Sequence, residues 1–169
     1  MIPGQRELIA RAPGDSPGWK IGFNIPAAQE HFGLDGPVVG YLAPPGPVEA
    51  AIWEYEIAAW IGTDGGIAAL GPAIELVTID PSKERLEEIM AGNIHHRGVI
   101  LGDPVVGAQH ETATEMVERA RLVLADHGGE LRPGAVVITG ALEVGEIVPG
   151  EPLTNDLSEL HLGSVSHRP

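Results

Sequence analysis

The sequence contains no cysteine, few aromatic residues and few basic ones. The absence of cysteine from its 169 residues excludes disulfides, thiolate catalysis and zinc or iron–sulfur sites held by cysteine. Ten basic and 24 acidic residues give a formal net charge of −14. Nucleic acids and anionic membranes need basic patches on the proteins that bind them. We therefore expect neither as a partner, and a site for an anionic substrate must supply its positive charge locally.

Long hydrophobic runs are also missing. No apolar stretch approaches the ~18 residues of a membrane span, and the N-terminal segment lacks the apolar core of a signal peptide. A cytoplasmic location is therefore the expectation. The length is most simply that of one domain over residues 1–169. Its 23 glycines and 15 prolines punctuate short apolar runs, which favours a mainly β protein with a few helices.

One short stretch combines strand-forming residues with acidic ones. Residues 52–61 read IWEYEIAAWI and predict a β-strand that stops at the glycine-rich turn after it. Because side chains alternate between faces, Glu54 and Glu56 point the same way, about 6.5–7 Å apart along the strand. A second apolar strand, predicted over residues 73–79, carries Glu75.

Two interpretations of these carboxylates remain open at this point. Buried carboxylates are costly without a partner, and neighbouring ones raise each other's pKa. Mg²⁺ or Mn²⁺, which prefer carboxylate oxygens, would neutralise the three glutamates. Alternatively, residues 52–61 form an edge strand whose glutamate face is solvated.

Three further polar residues lie in or beside apolar runs. Lys20 is the single cation of a strand predicted over residues 19–24. It is either a surface lysine or a cation facing an anionic substrate or a catalytic carboxylate. His95 and His96 precede an apolar strand, and adjacent side chains on a strand face opposite ways, so we do not expect them to share one metal. Each is a surface or hydrogen-bonded histidine, or a proton shuttle or substrate contact.

The remaining elements follow from periodicity and turn residues. Residues 143–152 look turn-rich, and Asp80-Pro81-Ser82 looks like the entry to a helix. The patterns predict helices over 5–11, 26–32, 83–90 and 111–126, and further strands over 38–42, 98–101, 135–142 and 162–166.

Several segments together resemble the fumarylacetoacetate hydrolase superfamily, and within it the branch of 2-hydroxypentadienoate hydratase and 4-oxalocrotonate decarboxylase. They are WKIGFNIPAAQEHFGLDGPVVGYL, WEYEIAAWIG, GPAIELV, GNIHHRGVILG, LRPGAVVITGAL and LGSVS. The second resembles the branch's E-x-E-I-A metal strand and the third its P-A-[IL]-E-[VI]-V strand. Any one of these motifs is weak, but six in the family's order cover most of the chain and are fairly specific.

The resemblance implies a site and a fold. Glu54, Glu56 and Glu75 would be ligands of Mg²⁺ or Mn²⁺, and Lys20 would match the family's active-site lysine. The acylpyruvate hydrolases typically have Asp as the third ligand, so Glu75 favours the hydratase and decarboxylase branch. The implied fold is mixed and mainly β, with layered sheets in a barrel-like roll.

The chain also departs from the family pattern. The loop that usually reads G-V-x-x-P-D-[FY]-G has Val38 where the family has an acid–base Asp. Only 18 residues separate Glu56 from Glu75, where the family inserts a helix. The N-terminal helical region is nearly absent, and a strand pair expected after Gly102 is missing. These departures predict a trimmed fold in which His95 or His96 replaces the missing Asp.

The activity implied by the resemblance is that of a metal-dependent lyase. Such an enzyme would decarboxylate or hydrate a 2-keto or 2-hydroxydienoate carboxylic acid through an enolate that the metal stabilises. The loss of the Asp at Val38 would impair hydration more than decarboxylation. Two alternatives stay open: a different reaction on a similar enolisable acid in a specialised pathway, and a non-catalytic binding module that kept the fold.

A homo-oligomer is also expected. Tyr41, Trp53 and Trp60 lie in short strands with little helix to cover them, so they could form an apolar face that needs a partner. The alternative is that these three are ordinary core aromatics.

Overall fold

The computed structural model describes residues 2–46 and 50–169. In this part of the chain the helices are α1 (Gln5–Ala10), α2 (Pro26–Phe32), α3 (Leu86–Ala91) and α4 (Glu111–Asp126). The strands are β1 (Gly18–Gly22), β2 (Val38–Tyr41), β3 (Ile52–Ile61), β4 (Ile67–Val77), β5 (His96–Leu101), β6 (Val105–Val106), β7 (Val136–Ile138), β8 (Glu143–Glu146), β9 (Leu153–Asp156) and β10 (Ser164–His167). No helix among the described residues is long and apolar enough to cross a membrane.

Eight strands form one mixed sheet in the order β2-β1-β7-β3-β4-β5, and β9 pairs with β10 in a separate small sheet. The two remaining strands of the large sheet are β8 and β6. β8 pairs with β3 on the same side as β7, and β6 pairs with β4. β1 and β7 run parallel, and the other pairs are antiparallel. The mixed, mainly β class is confirmed, although the described strands do not close into a barrel.

β3 lies inside the large sheet, and its residues 56–59 are buried on both faces. Ile57 and Ala59 face one way and pack with Met116 and Leu124 of α4 in an apolar core. This packing follows from the amphipathic stripe of α4, whose predicted bounds are confirmed. β3 pairs with β4 on one side and with β7 and β8 on the other, so the edge-strand interpretation is wrong.

β4 is longer than predicted, because Gly71-Pro72 does not interrupt it. The strand begins at Ile67 and pairs with β3 in a hairpin that fills the short interval between Glu56 and Glu75. Pro72 is tolerated because it falls between the β5 and β6 pairings along that edge, where no ladder donor is required.

Other boundaries differ where turns and short strands were hard to tell apart. α3 begins at Leu86, because Asp80 accepts hydrogen bonds from the backbone and hydroxyl of Ser82 in a local turn instead of capping the helix. β1 ends at Gly22, before Phe23 with φ of 52°. The predicted strand over 135–142 is the shorter β7, and β8 lies in the segment predicted to be turn-rich.

Candidate metal centre

Three glutamates meet on one face of the β3–β4 hairpin. The antiparallel register places Glu54 directly opposite Glu75, and Glu56 follows two residues later on the same face. One carboxylate oxygen of each lies within 4.8 Å of those of the other two. Glu56 and Glu75 are both 0% exposed, whereas Glu54 is half-buried. The predicted cluster is therefore formed by the structure.

Half of the oxygens on the two buried carboxylates are satisfied by the protein. The backbone N–H of Gly140 donates to Glu56 Oε2 at 2.7 Å. Glu75 Oε1 accepts hydrogen bonds from the ammonium of Lys20 and, at 2.8 Å, from Nδ1 of His96. Glu56 Oε1 and Glu75 Oε2 have no hydrogen-bond partner among the described residues.

These two orphaned oxygens fit a hard divalent cation. Buried polar atoms are normally paired, and an unpaired carboxylate oxygen is especially costly. Mg²⁺ and Mn²⁺ favour oxygen ligands of this kind. Each buried glutamate thus has one carboxylate oxygen without a hydrogen-bond partner among the described residues, and the carboxylate of Glu54 lies beside these two oxygens. The donor set of Glu54, Glu56 and Glu75 matches what such an ion requires.

The two buried carboxylates have opposite pKa shifts. Burial, followed by repulsion from Glu75, raises the pKa of Glu56 well above its usual range, despite the opposing charge of Lys20. Burial would also raise the pKa of Glu75, but the charge of Lys20 and the hydrogen bond from His96 lower it to about 2. Glu75 is therefore the ionised partner of the lysine, whereas Lys20 and Gly140 offset only part of the cost of charge on Glu56.

Lys20 is an interior residue. It is 4% exposed, so the interpretation as a surface lysine is wrong. Besides Glu75 it donates to the backbone carbonyl of Ile94 at 3.2 Å. Burial by itself would lower the pKa of Lys20, but the three glutamates, led by Glu75, raise it, so the side chain stays charged. An ammonium has three donors, and two of them are used here.

The two adjacent histidines lie in different environments. The N–H of Ala43 donates to Nε2 of His96 at 3.0 Å, so in the neutral ring the proton is on Nδ1 and is donated to Glu75. His95 instead lines an open cleft. Burial, and then the charges of Lys20 and Arg97, lower the pKa of His95, so its ring is neutral near pH 7. As predicted, the two histidines do not converge on one point.

A strained turn precedes His96. Asn93, Ile94 and His95 have φ values of 55°, 52° and 65°, which is rare for three successive non-glycine residues and costly for a β-branched one. The side chain of Asn93 fixes this turn, because its amide bonds both the N–H and the carbonyl of Tyr41. The turn aims the carbonyl of Ile94 at Lys20.

A cleft of about 430 Å³ opens beside the carboxylates, lined in part by Lys20, Glu54, His95 and Gly140. Clefts of about 580 and 920 Å³ lie elsewhere, and none of the three glutamates is among the described residues that line them. The cleft of about 430 Å³ is therefore the relevant one, because Lys20, Glu54 and His95 line it and it opens them to solvent.

Comparisons with known proteins agree with this architecture. The chain is similar to 4-oxalocrotonate decarboxylase from Pseudomonas putida G7 complexed with magnesium and adipate, with a TM-score of 0.72 and 20% identity over 91% of this chain and 78% of that one. It is also similar to fumarylpyruvate hydrolase from Pseudomonas aeruginosa in complex with Mn²⁺ and pyruvate, with a TM-score of 0.58 and 15% identity over 89% and 87% of the two chains.

A third solved structure is a putative fumarylacetoacetate hydrolase family protein from Yersinia pestis CO92, with a TM-score of 0.55 and 18% identity over 95% of this chain and 97% of that one. No protein-family model and no curated protein matches the sequence. At these identities the likeness shows the fold. The fold that the resemblance to the fumarylacetoacetate hydrolase superfamily implies is therefore confirmed.

Sequence reasoning missed several residues that shape the site. Gly140, with φ of 97°, donates to Glu56, and a Cβ there would lie 2.4 Å from the amide nitrogen of Asn24. Asn155 donates to the backbone carbonyls of Glu56 and Ala73 and so ties β3 to β4. The one available signal was Gly140 itself, a glycine two residues after the end of the apolar run of β7.

Proposed function

We propose that this chain is a divalent-metal-dependent lyase that acts on a 2-oxo acid or its 2-hydroxydienoate form, by decarboxylation or hydration. The observation that carries the proposal is the pair of orphaned, buried oxygens on Glu56 and Glu75 beside Glu54. Three solved structures with this fold support it, since two of 4-oxalocrotonate decarboxylase are complexed with magnesium and adipate or with calcium and acetate, and that of fumarylpyruvate hydrolase with Mn²⁺ and pyruvate.

Glu54, Glu56 and Glu75 would hold Mg²⁺ or Mn²⁺. When bound, the ion supplies Lewis acidity at the carboxylate and 2-oxo end of the substrate. Lys20 uses two of its three donors among the described residues and lines the cleft, so its third donor binds the substrate carboxylate or polarises the 2-oxo group. Its contacts with Glu75 and Ile94 fix its position before substrate arrives.

The two histidines would have different roles. His95 lines the cleft with a neutral ring, so its free nitrogen accepts a proton from the substrate or from water and returns it. It occupies the role left open where Val38 replaces the family's Asp. Both ring nitrogens of His96 are engaged, with Ala43 and Glu75, which makes it a positioning residue for the carboxylate.

The test is an enolisation assay. Decarboxylation and hydration of such acids would both pass through an enolate of the 2-oxo acid, so protein with Mn²⁺ that stabilises this enolate should exchange the C3 protons of 2-oxobutyrate for deuterium in D₂O. We expect Glu56→Gln to abolish the metal-dependent exchange and His95→Gln to slow it by roughly 10²-fold or more. The matched control Glu118→Gln, on the exposed face of α4, should leave the rate unchanged.

The same assay separates the enzyme from the alternative of a binding module. Exchange that depends on metal and on His95 supports the lyase. Metal-dependent binding of 2-oxobutyrate without any exchange would contradict catalysis and support the module that kept the fold.

A further inference from the structure

The cleft beside the glutamates has an apolar outer wall. Ile25, Ile79 and Val144 line it and remain 58%, 55% and 57% exposed. They come from the residue before α2, the segment after β4 and strand β8. Single exposed aliphatic residues are ordinary, but three that converge on one cleft from separate segments mark a surface that binds apolar groups.

This wall begins next to the proposed metal ligands. In the sheet register Glu54 lies opposite Glu75 on one side and opposite Val144 on the other. Directly opposite residues share a face, with Cβ atoms about 4.5–5.5 Å apart. A ligand whose acid end lies at the carboxylate cluster therefore extends along Val144 within a few bond lengths.

The outer part of the cleft supplies no cation for a second carboxylate. Among the described residues that line the cleft, Lys20 is the only permanent cation, and it lies at the inner end in contact with Glu75. His95 is neutral near pH 7. Lys83 and Arg97 lie near His95 but do not line the cleft: Lys83 lies 3.9 Å from Asp80, and Arg97 donates to the carbonyl of His96 at 2.8 Å.

A second carboxylate on the ligand would thus lose water without gaining a charged partner, and it would lie near the negative charge of Glu54. A hydrocarbon chain in the same place would cover Ile25, Ile79 and Val144, and apolar burial favours binding. The volume of about 430 Å³ also falls within the range of small-molecule sites, roughly 300–1,000 Å³, and exceeds the needs of a three-carbon acid.

We propose that the site takes a 2-oxo or 2-hydroxydienoate monocarboxylate with a hydrocarbon tail, and that Ile25, Ile79 and Val144 select this tail over one that ends in a second carboxylate. The inference rests on the proposed function and narrows it. Loss of CO₂ from the far end of such a chain requires a second carboxylate as the leaving group. A hydrocarbon tail with a C=C bond conjugated to the 2-oxo group therefore selects hydration. The C=C π bond and one O–H bond of water break, the water oxygen bonds to the carbon farther from the 2-oxo group, and His95 moves the proton to the nearer carbon.

The test compares three acids by calorimetric titration of the Mn²⁺-loaded full chain: pyruvate, 2-oxohexanoate and 2-oxoadipate. The last two have six carbons and differ in whether the far end is a methyl group or a carboxylate. Each fully buried methylene is worth about a fourfold gain in affinity. With partial burial of three added carbons, we expect 2-oxohexanoate to bind on the order of tenfold more tightly than pyruvate, and 2-oxoadipate to bind no more tightly than pyruvate.

Variants assign the effect to the apolar wall. Val144→Ser and Ile79→Ser should each weaken 2-oxohexanoate binding about two- to fourfold, on the scale of one buried methylene, and leave pyruvate binding unchanged. Ile79→Arg should instead strengthen 2-oxoadipate binding, a gain that misfolding cannot produce. Val106→Ser, at an 84% exposed position on β6, is the matched control and should change nothing.

The outcomes distinguish a failure of the proposed tail selectivity from a failure of the proposed lyase function. If 2-oxoadipate binds as tightly as 2-oxohexanoate or more tightly, the inference is overturned while the proposed function stands. If none of the three acids binds the Mn²⁺-loaded chain, the proposed function fails and the inference with it. If the serine variants change the oligomeric state and leave every affinity unchanged, the wall is an interface between copies and the inference is overturned.

Discussion

The two faces of β3 are buried to the same extent at Glu56 and Ile57, but one face is acidic and the other is apolar. On one face Ile57 is 1% exposed against α4, and on the other its neighbour Glu56 is 0% exposed among carboxylates. The first face gains free energy by burial. The second costs free energy, because one carboxylate is only half satisfied by Gly140 and faces a second negative charge. Burial is therefore uninformative about function here, and the unpaired oxygens are the discriminating feature.

The largest expected effect comes from removing the cation of the acidic face. Lys20→Met leaves Glu75 buried without its ion partner, and breaking a buried pair in this way costs about 3–5 kcal/mol. Urea unfolding of metal-stripped protein measures the loss. Lys83→Met, at a partly exposed lysine, is the control and should stay within about 0.5 kcal/mol of wild type. A loss as small as that control would contradict the buried pair.

The apolar face should respond differently to metal. Leu124→Ala removes a fully buried side chain of α4 and should cost roughly 2–5 kcal/mol through lost burial and the cavity left behind. Because no charge is involved, the loss should be the same with and without Mn²⁺ in urea unfolding. A loss that shrank when Mn²⁺ was added would show that the two faces are coupled.

Glu56→Gln should stabilise the metal-stripped protein, whereas most substitutions at buried positions lower the free energy of unfolding. In metal-stripped protein the amide still accepts from Gly140 and removes a buried charge near Glu75, so we expect a gain of roughly 1–3 kcal/mol. Thermal melts then distinguish the two states: Mn²⁺ should raise the melting temperature of wild type by mass action and leave the variant unchanged. A variant that is less stable without metal and still responds to Mn²⁺ would contradict this role.

The smallest effect is the pH dependence of the metal-stripped chain. The folded-state pKa of Glu56 is raised above its unfolded value of about 4.3, so stability is fully present below that value and is lost as pH rises through the folded-state pKa. Glu56 should therefore contribute a gain in stability from pH 8 towards pH 5, and the lowered pKa of His95 opposes this gain. Glu75 has the opposite sign: its contribution is present above about pH 4.3 and is lost as pH falls towards about 2.

Urea midpoints across this pH series provide the measurement. The gain from pH 8 to pH 5 should be smaller in Glu56→Gln than in wild type. Equal slopes for the two proteins would show that Glu56 is not the group responsible.

The sequence predicted the elements that carry the site, because alternation and helical periodicity are patterns of residues close together in the chain. The bounds of β3 and α4 follow from alternation and from a 3.6-residue stripe, and both are confirmed. The position of Glu54 opposite Glu75 then follows from the pairing of β3 with β4 in a hairpin.

The remainder depends on contacts between distant segments, which one sequence does not encode locally. Lys20 meets Glu75 across 55 positions, and the parallel pairing of β1 with β7 has no local signal. The left-handed turn at Ile94 contradicts the preference of a β-branched residue, so tertiary packing overrides propensity there. The single domain, the homo-oligomer and the cytoplasmic location stay predictions.

The most direct test of the metal centre is a titration of Mn²⁺ followed by electron paramagnetic resonance, in which the signal of free Mn²⁺ reports what the protein leaves unbound. Wild type and Glu56→Gln are compared with Glu118→Gln as the charge-matched control. We predict one tightly bound Mn²⁺ per chain in wild type and in the control, and none in Glu56→Gln. Equal binding by all three proteins would contradict the assignment of the ion to the buried glutamates.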